Sequence, residues 1–144
     1  MHGVRVVITT GPLRQCEAEP TRDGDAGAVV TFLGVVRGDE DGGRIDGLEY
    51  TVYEPMAGRV LEQLAHEALE RFGVIAVDVE HSRGFVPVGA CSFRLLVAGA
   101  HRREALDAMD WFIEQMKLKA PIWKRAAPQP LAHPEPVATE GSNQ

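Results

Sequence analysis

The chain has 144 residues, 44% of them hydrophobic and 25% charged, an ordinary globular composition with enough chain for one domain and a real core. Its formal net charge of −6 argues against general nucleic-acid binding, which normally brings a basic surplus, so any anion site has to be a local basic pocket. No apolar run reaches the length of a membrane span and the N-terminus lacks a signal peptide's apolar core, so a soluble cytoplasmic protein is expected.

Residues 4–9 are β-rich and read as a first strand, stopped by Gly11-Pro12. Residues 13–27 are polar and read as a loop with at most a short helix. Residues 28–36 form a nearly continuous apolar run of strand length, expected to be buried on both faces. The glycine-rich acidic stretch 38–43 reads as a flexible loop; it lacks the alternating ligands and distal glutamate of a calcium loop, so no metal site is expected there.

Residues 45–53 alternate as a strand, and Glu54-Pro55 leads into a helix over 56–72, with Val60, Leu61, Leu64, Ala65, Ala68 and Leu69 on its apolar face and Gly73 as its stop. Two more strands are expected at 74–80 and 93–98. The connection between them, with Gly84, Pro87 and Gly89, reads as irregular and able to form a small extra hairpin. A second helix follows over about 102–119, where Leu106, Met109, Ile113 and Met116 recur at helical spacing. Pro121 disfavours the α conformation at Ala120 and ends it. The order β, β, β, α, β, β, α predicts an α+β fold, two long helices on one sheet of about five strands. Beyond Arg125, Pro128, Pro130, Pro134 and Pro136 mark a Pro/Ala-rich tail, residues 126–144, expected to be extended or mobile.

Two clusters carry chemistry. Lys117 and Lys124 flank the end of the second helix, and on a helical wheel Lys117 falls on the side of Leu106, Ile113 and Met116. A lysine on a buried side loses hydration of its ammonium, which enlarges its neutral, nucleophilic fraction. The same spacing fits a lysine whose stem lies along the core edge while its charge reaches solvent and complements the helix C-terminus. His101-Arg102-Arg103 opens the second helix, where cations oppose the dipole unless an anion is bound; free N–H groups, guanidinium and imidazole make a phosphate site there, and a basic surface turn offset by Glu104 fits equally well. Arg37 is a further anion contact or an exposed strand-end charge. Cys16 and Cys91 are far apart and make no CxxC or metal-ligand cluster. If the reaction moves sulfur, the sulfur has to arrive on a partner.

The segment Met116-Lys117-Leu118-Lys119-Ala120-Pro121-Ile122-Trp123-Lys124-Arg125 resembles the signature of the large, catalytic subunit of molybdopterin synthase. Three segments agree in order and spacing: Gly27-Ala28 through Phe32-Leu33-Gly34-Val35-Val36-Arg37, Leu48-Glu49-Tyr50 through Tyr53-Glu54-Pro55-Met56-Ala57, and Ala100-His101-Arg102. The likeness covers residues 4–125, read as a single domain. It departs at Ala126-Ala127, where the family commonly has a glutamate soon after the second lysine, and at His81-Ser82-Arg83-Gly84, where the family has His-Arg-x-Gly.

The resemblance implies an α/β hammerhead-type fold with a small antiparallel β subdomain, in a homodimer that forms a heterotetramer with two small subunits. It implies transfer of sulfur from the C-terminal thiocarboxylate of a small ubiquitin-like partner to cyclic pyranopterin monophosphate, with no cofactor. Lys117 is then the principal catalytic residue, Lys124 stabilises negative charge, Arg37, His101 and Arg102 hold the substrate, and Trp123 and Pro121 are framework. A non-catalytic phosphate- or pterin-binding scaffold and a Schiff-base lysine enzyme are the competing readings. One geometric expectation follows: Arg102 and Lys117 are about 22 Å apart along one helix at roughly 1.5 Å per residue, so a site using both takes them from different chains across a two-fold interface.

Overall fold

A computed structural model describes residues 3–14, 24–40 and 42–131. Most of the loop expected over 13–27, with Cys16, and the tail beyond Leu131 lie outside them. The elements are β1 (Gly3–Thr10), β2 (Ala28–Val35), β3 (Asp39–Glu40), β4 (Gly43–Arg44), β5 (Gly47–Val52), α1 (Met56–Phe72), β6 (Ala76–Pro87), β7 (Cys91–Gly99), α2 (Arg102–Lys119) and β8 (Ile122–Ala127). Two helices lie side by side on one face of a mixed, mainly antiparallel sheet, α1 over β1 and β6 and α2 over β7 and β2. This is the expected α+β architecture.

The sheet runs β2-β7-β6-β5-β8, with β1 parallel to β6. Alternation along the strands explains its two faces. Val77 and Val79 of β6 and Phe93, Leu95 and Val97 of β7 meet Leu61, Leu64 and Ala65 of α1 and Met109 and Phe112 of α2 in the main core. On the other face Asp78 is held by Arg5 at 3.1 Å and by the buried Arg94 at 3.0 Å, with Glu80 also near Arg94. Buried charge is tolerated there because each carboxylate has a guanidinium partner. Phe112 has no exposed surface; Phe112→Ala is expected to lower unfolding free energy by about 3–5 kcal/mol through lost contacts and the cavity left behind, which denaturant titration measures.

Four expectations are corrected. The apolar run of β2 is not buried on both faces: β2 is an edge strand, and Phe32, Leu33 and Val35 are 40%, 39% and 49% exposed. The connection after residue 80 is not irregular. β6 continues through Gly84, whose φ of +81° suits glycine, and its last four residues pair with β5. The acidic stretch 38–43 contains a short β3–β4 pairing, Asp39 opposite Arg44. Finally, residues 122–127 form β8, antiparallel to β5 along its whole length, so Ala126 and Ala127 belong to the sheet rather than the tail. Together β5, β8 and the end of β6 make a small antiparallel lobe, with Val36, Leu48 and Val86 as a second core.

Both helices have the expected limits. Gly73 caps α1 in the left-handed conformation, and Ala120 caps α2 in an extended one, as Pro121 requires. Among the described residues no helix is long and apolar enough to cross a membrane, and no group of His, Cys, Asp or Glu side chains is arranged to hold a metal ion.

Candidate functional site

The route from α2 to β8 builds the principal site. α2 stops at Lys119, Pro121 turns the chain, and β8 starts at Ile122 along β5, its entry secured by the Tyr53 N–H donating to the Pro121 carbonyl at 3.0 Å. This fold-back brings Lys124 to the cleft that Lys117 also lines, a cavity of about 510 Å³ between the end of α2, the end of β2 and the antiparallel lobe. Arg37, just beyond β2, lines it too. Three of the five expected site residues therefore share one cleft. Lys124 has one acidic neighbour, its Nζ lying 3.9 Å from Glu40 on β3.

His101 and Arg102 are elsewhere. They lie at the start of α2, with Arg103, in a second depression of about 710 Å³ against Gly27 and Ala28. The two cavities have no lining residue in common. His101 is the N-cap residue and its side chain is largely exposed, 3.7 Å from Glu104. One copy of the chain thus keeps its two basic clusters apart, at opposite ends of one helix.

Of the two readings of the Lys117 spacing, the solvent-reaching one holds: Lys117 is exposed. The buried stripe of α2 is Ala105, Ala108, Met109 and Phe112, and Leu106 is 49% exposed. Small alanines, unremarkable in a hydrophobicity pattern, face the core because they let the helix approach closely, and this rotates Lys117 to the flank. Trp123, given a framework role by the resemblance, is 60% exposed at the cleft.

The residues missed by sequence reasoning form the cleft's inner wall. Tyr50, His81 and Ser92 all line it, and the Tyr50 hydroxyl lies 2.9 Å from Ser92 Oγ. Tyr50 belongs to a segment singled out above, but nothing in the spacing joins residues 50, 81 and 92; only the pairing of β5, β6 and β7 does. His81 is buried and its Nδ1 lies 2.7 Å from the Ser82 carbonyl. A carbonyl only accepts, so Nδ1 carries the proton of the neutral ring. Burial pushes the His81 pKa below its ordinary 6.5, opposed in part by that hydrogen bond. The linkage has a definite sign: as pH falls below about 6.5 the unfolded imidazole takes up a proton that the folded one resists, so stability declines with pH over that window. Urea titrations over roughly pH 5 to 7.5, which brackets that ordinary value, are expected to show a shallower decline for His81→Asn than for the unaltered chain. Cys91, also buried, points its thiol at the Phe93 carbonyl, and desolvation pushes its pKa up. It is no candidate nucleophile.

The family model described as MoaE protein matches residues 8–119. The molybdopterin synthase catalytic subunit of Pyrococcus abyssi is 36% identical over 99 residues, 69% of this chain and 67% of that protein. The subunit of the same name from Thermoplasma volcanium is 40% identical over 101 residues, 70% of this chain and 74% of that one. Among solved structures, molybdopterin synthase from Staphylococcus aureus superposes with a TM-score of 0.74 at 30% identity, covering 85% of this chain and 90% of that one. A complex of subunits 1 and 2 of the molybdopterin-converting factor from Helicobacter pylori 26695 gives 0.67 at 32% identity, covering 84% and 83%.

Proposed function

We infer that this chain, which belongs to the MoaE protein family, is the catalytic subunit of a molybdopterin synthase. In this reading it transfers sulfur from the C-terminal thiocarboxylate of a small ubiquitin-like subunit to cyclic pyranopterin monophosphate. The observation that carries it is the meeting of Lys117, Lys124 and Arg37 on one cleft in a chain of this family.

The chemistry suits the arrangement. A thiocarboxylate and a cyclic phosphate are both anions, and an overall acidic protein attracts them only through a local concentration of cations. Lys117 positions the thiocarboxylate and assists proton and acyl movements as substrate carbon and sulfur join. Lys124 stabilises negative charge on substrate or intermediate. Arg37, on the same cleft, binds the substrate, and His101 and Arg102 of a second copy complete the phosphate site. Exposure of Lys117 is in keeping with this role, since the partner's tail has to reach it.

The small-subunit partner is supported by the Helicobacter pylori structure, a complex of two different subunits. The assembly proposed here is a homodimer of this chain carrying one small subunit on each copy, in the cytoplasm. Reconstitution tests the function: purified chain, thiocarboxylated small subunit and cyclic pyranopterin monophosphate are expected to yield molybdopterin, and the absence of product under conditions where a relative of established activity turns over would refute the assignment.

A further inference from the structure

The inner wall of the lysine cleft holds two hydroxyls to which the reading above gives no task. Tyr50 stands directly across the β5–β8 ladder from Lys124, so ring and amine project from the same side of two paired strands. The Tyr50 ring is held from behind by His81, edge to face at 5.2 Å between centroids and 81° between planes. His81 is itself fixed by the Ser82 carbonyl and by Phe93, 5.8 Å away.

Proton counting singles this pair out. Tyr50 and Ser92 own one hydroxyl proton each, and their mutual hydrogen bond at 2.9 Å uses one of the two. Among the described residues neither hydroxyl has a second side-chain or backbone partner. Whichever of them donates, one O–H remains unspent at the wall of a cleft that already holds two lysines. Burial raises the Tyr50 pKa above its ordinary 10.0, opposed in part by Ser92, so the phenol keeps its proton at neutral pH.

We propose that Ser92 donates to the Tyr50 oxygen and that the Tyr50 O–H, left free by that bond, binds the acyl oxygen of the partner's thiocarboxylate, with Ser92 and His81 acting as positioning residues. The inference rests on the sulfur-transfer reading and deepens it. A thiocarboxylate ends in one oxygen and one sulfur, and an ammonium attracts the group without distinguishing its ends by direction. A neutral O–H does distinguish them, because oxygen is the far better hydrogen-bond acceptor. Holding the oxygen against the wall turns the sulfur outward, toward the substrate carbon it has to meet. No proton is consumed and no bond to Tyr50 forms.

Tyr50→Phe keeps the ring against His81 and deletes only the hydroxyl. In the reconstituted complex, kcat is expected to fall on the order of 10²-fold, as when one directed donor is removed from a reacting group. The KM for cyclic pyranopterin monophosphate and the Tm are expected to stay put. Ser92→Ala, which leaves the phenol but frees it to rotate, is expected to give a smaller fall in kcat. Wild-type kcat in Tyr50→Phe overturns the proposal, and so does a loss that vanishes after correction for the folded fraction, which marks a structural role. Should the unaltered chain itself transfer no sulfur, the functional reading fails first, and titration of the small subunit onto both forms still decides the matter: tighter binding of the thiocarboxylated than of the carboxylate-free, truncated tail that is lost in Tyr50→Phe supports the contact, and equal binding by both forms overturns it.

Discussion

Lys117→Ala is expected to lower molybdopterin formation by at least about 10²-fold in the reconstituted reaction, the scale on which a positioned acid–base group or a directed charge acts. The fold is expected to survive, because Lys117 is exposed and makes no ion pair among the described residues; substitutions of that kind usually change stability by within about 0.5 kcal/mol. Its two companions on the cleft set the comparison. Lys124→Ala removes a charge facing Glu40, and Arg37→Ala another charge that lines the cleft, and each is expected to weaken turnover less than Lys117→Ala does. Substantial residual sulfur transfer by Lys117→Ala, measured as product per folded chain, would displace Lys117 from the centre of the mechanism and leave the cleft as a binding surface.

The second large effect concerns two copies of the chain. Arg102→Ala and Lys117→Ala chains, each expected to be nearly inactive alone, are expected to regain activity when mixed and allowed to exchange. If Lys117 of one copy works with Arg102 of its partner, half of randomly mixed dimers are hybrids, and each hybrid has one site with both residues intact and one with neither. The expected recovery is about a quarter of wild-type activity per dimer. If one copy supplied both residues, no hybrid would hold an intact site and recovery would be zero. The geometry favours the former, since the cavities of His101–Arg102 and Lys117–Lys124 share no lining residue and α2 keeps them at its two ends.

Local signals were legible where one residue's chemistry decides the outcome. The limits of α1 and α2 follow from Gly73 and Pro121, and the alternating valines of β6 do face the helices. What escaped was set by pairing at a distance. β8 does not announce itself, because its residues show no apolar–polar alternation and Trp123, Lys124, Arg125 and Ala126 are all exposed; it is a strand because β5 offers it a full ladder. β2 read as doubly buried because its composition is apolar, yet its place at the sheet edge leaves Phe32, Leu33 and Val35 uncovered in a single copy. In the site, the two lysines and Arg37 are legible as cations at element ends, to which the resemblance assigns roles, whereas Tyr50, His81 and Ser92 become neighbours only when three strands align.

The short run between the stop of α2 and Lys124 has a consequence of its own. A ladder strand has only two sides, and which one a residue takes is a matter of parity counted from where the strand begins. Lys124 sits an even step from Ile122, on the side of Tyr50. Losing or gaining one residue after Pro121 would therefore aim the amine away from the cleft even where the β5–β8 ladder re-formed, and would turn Ile122 away from the core it packs against.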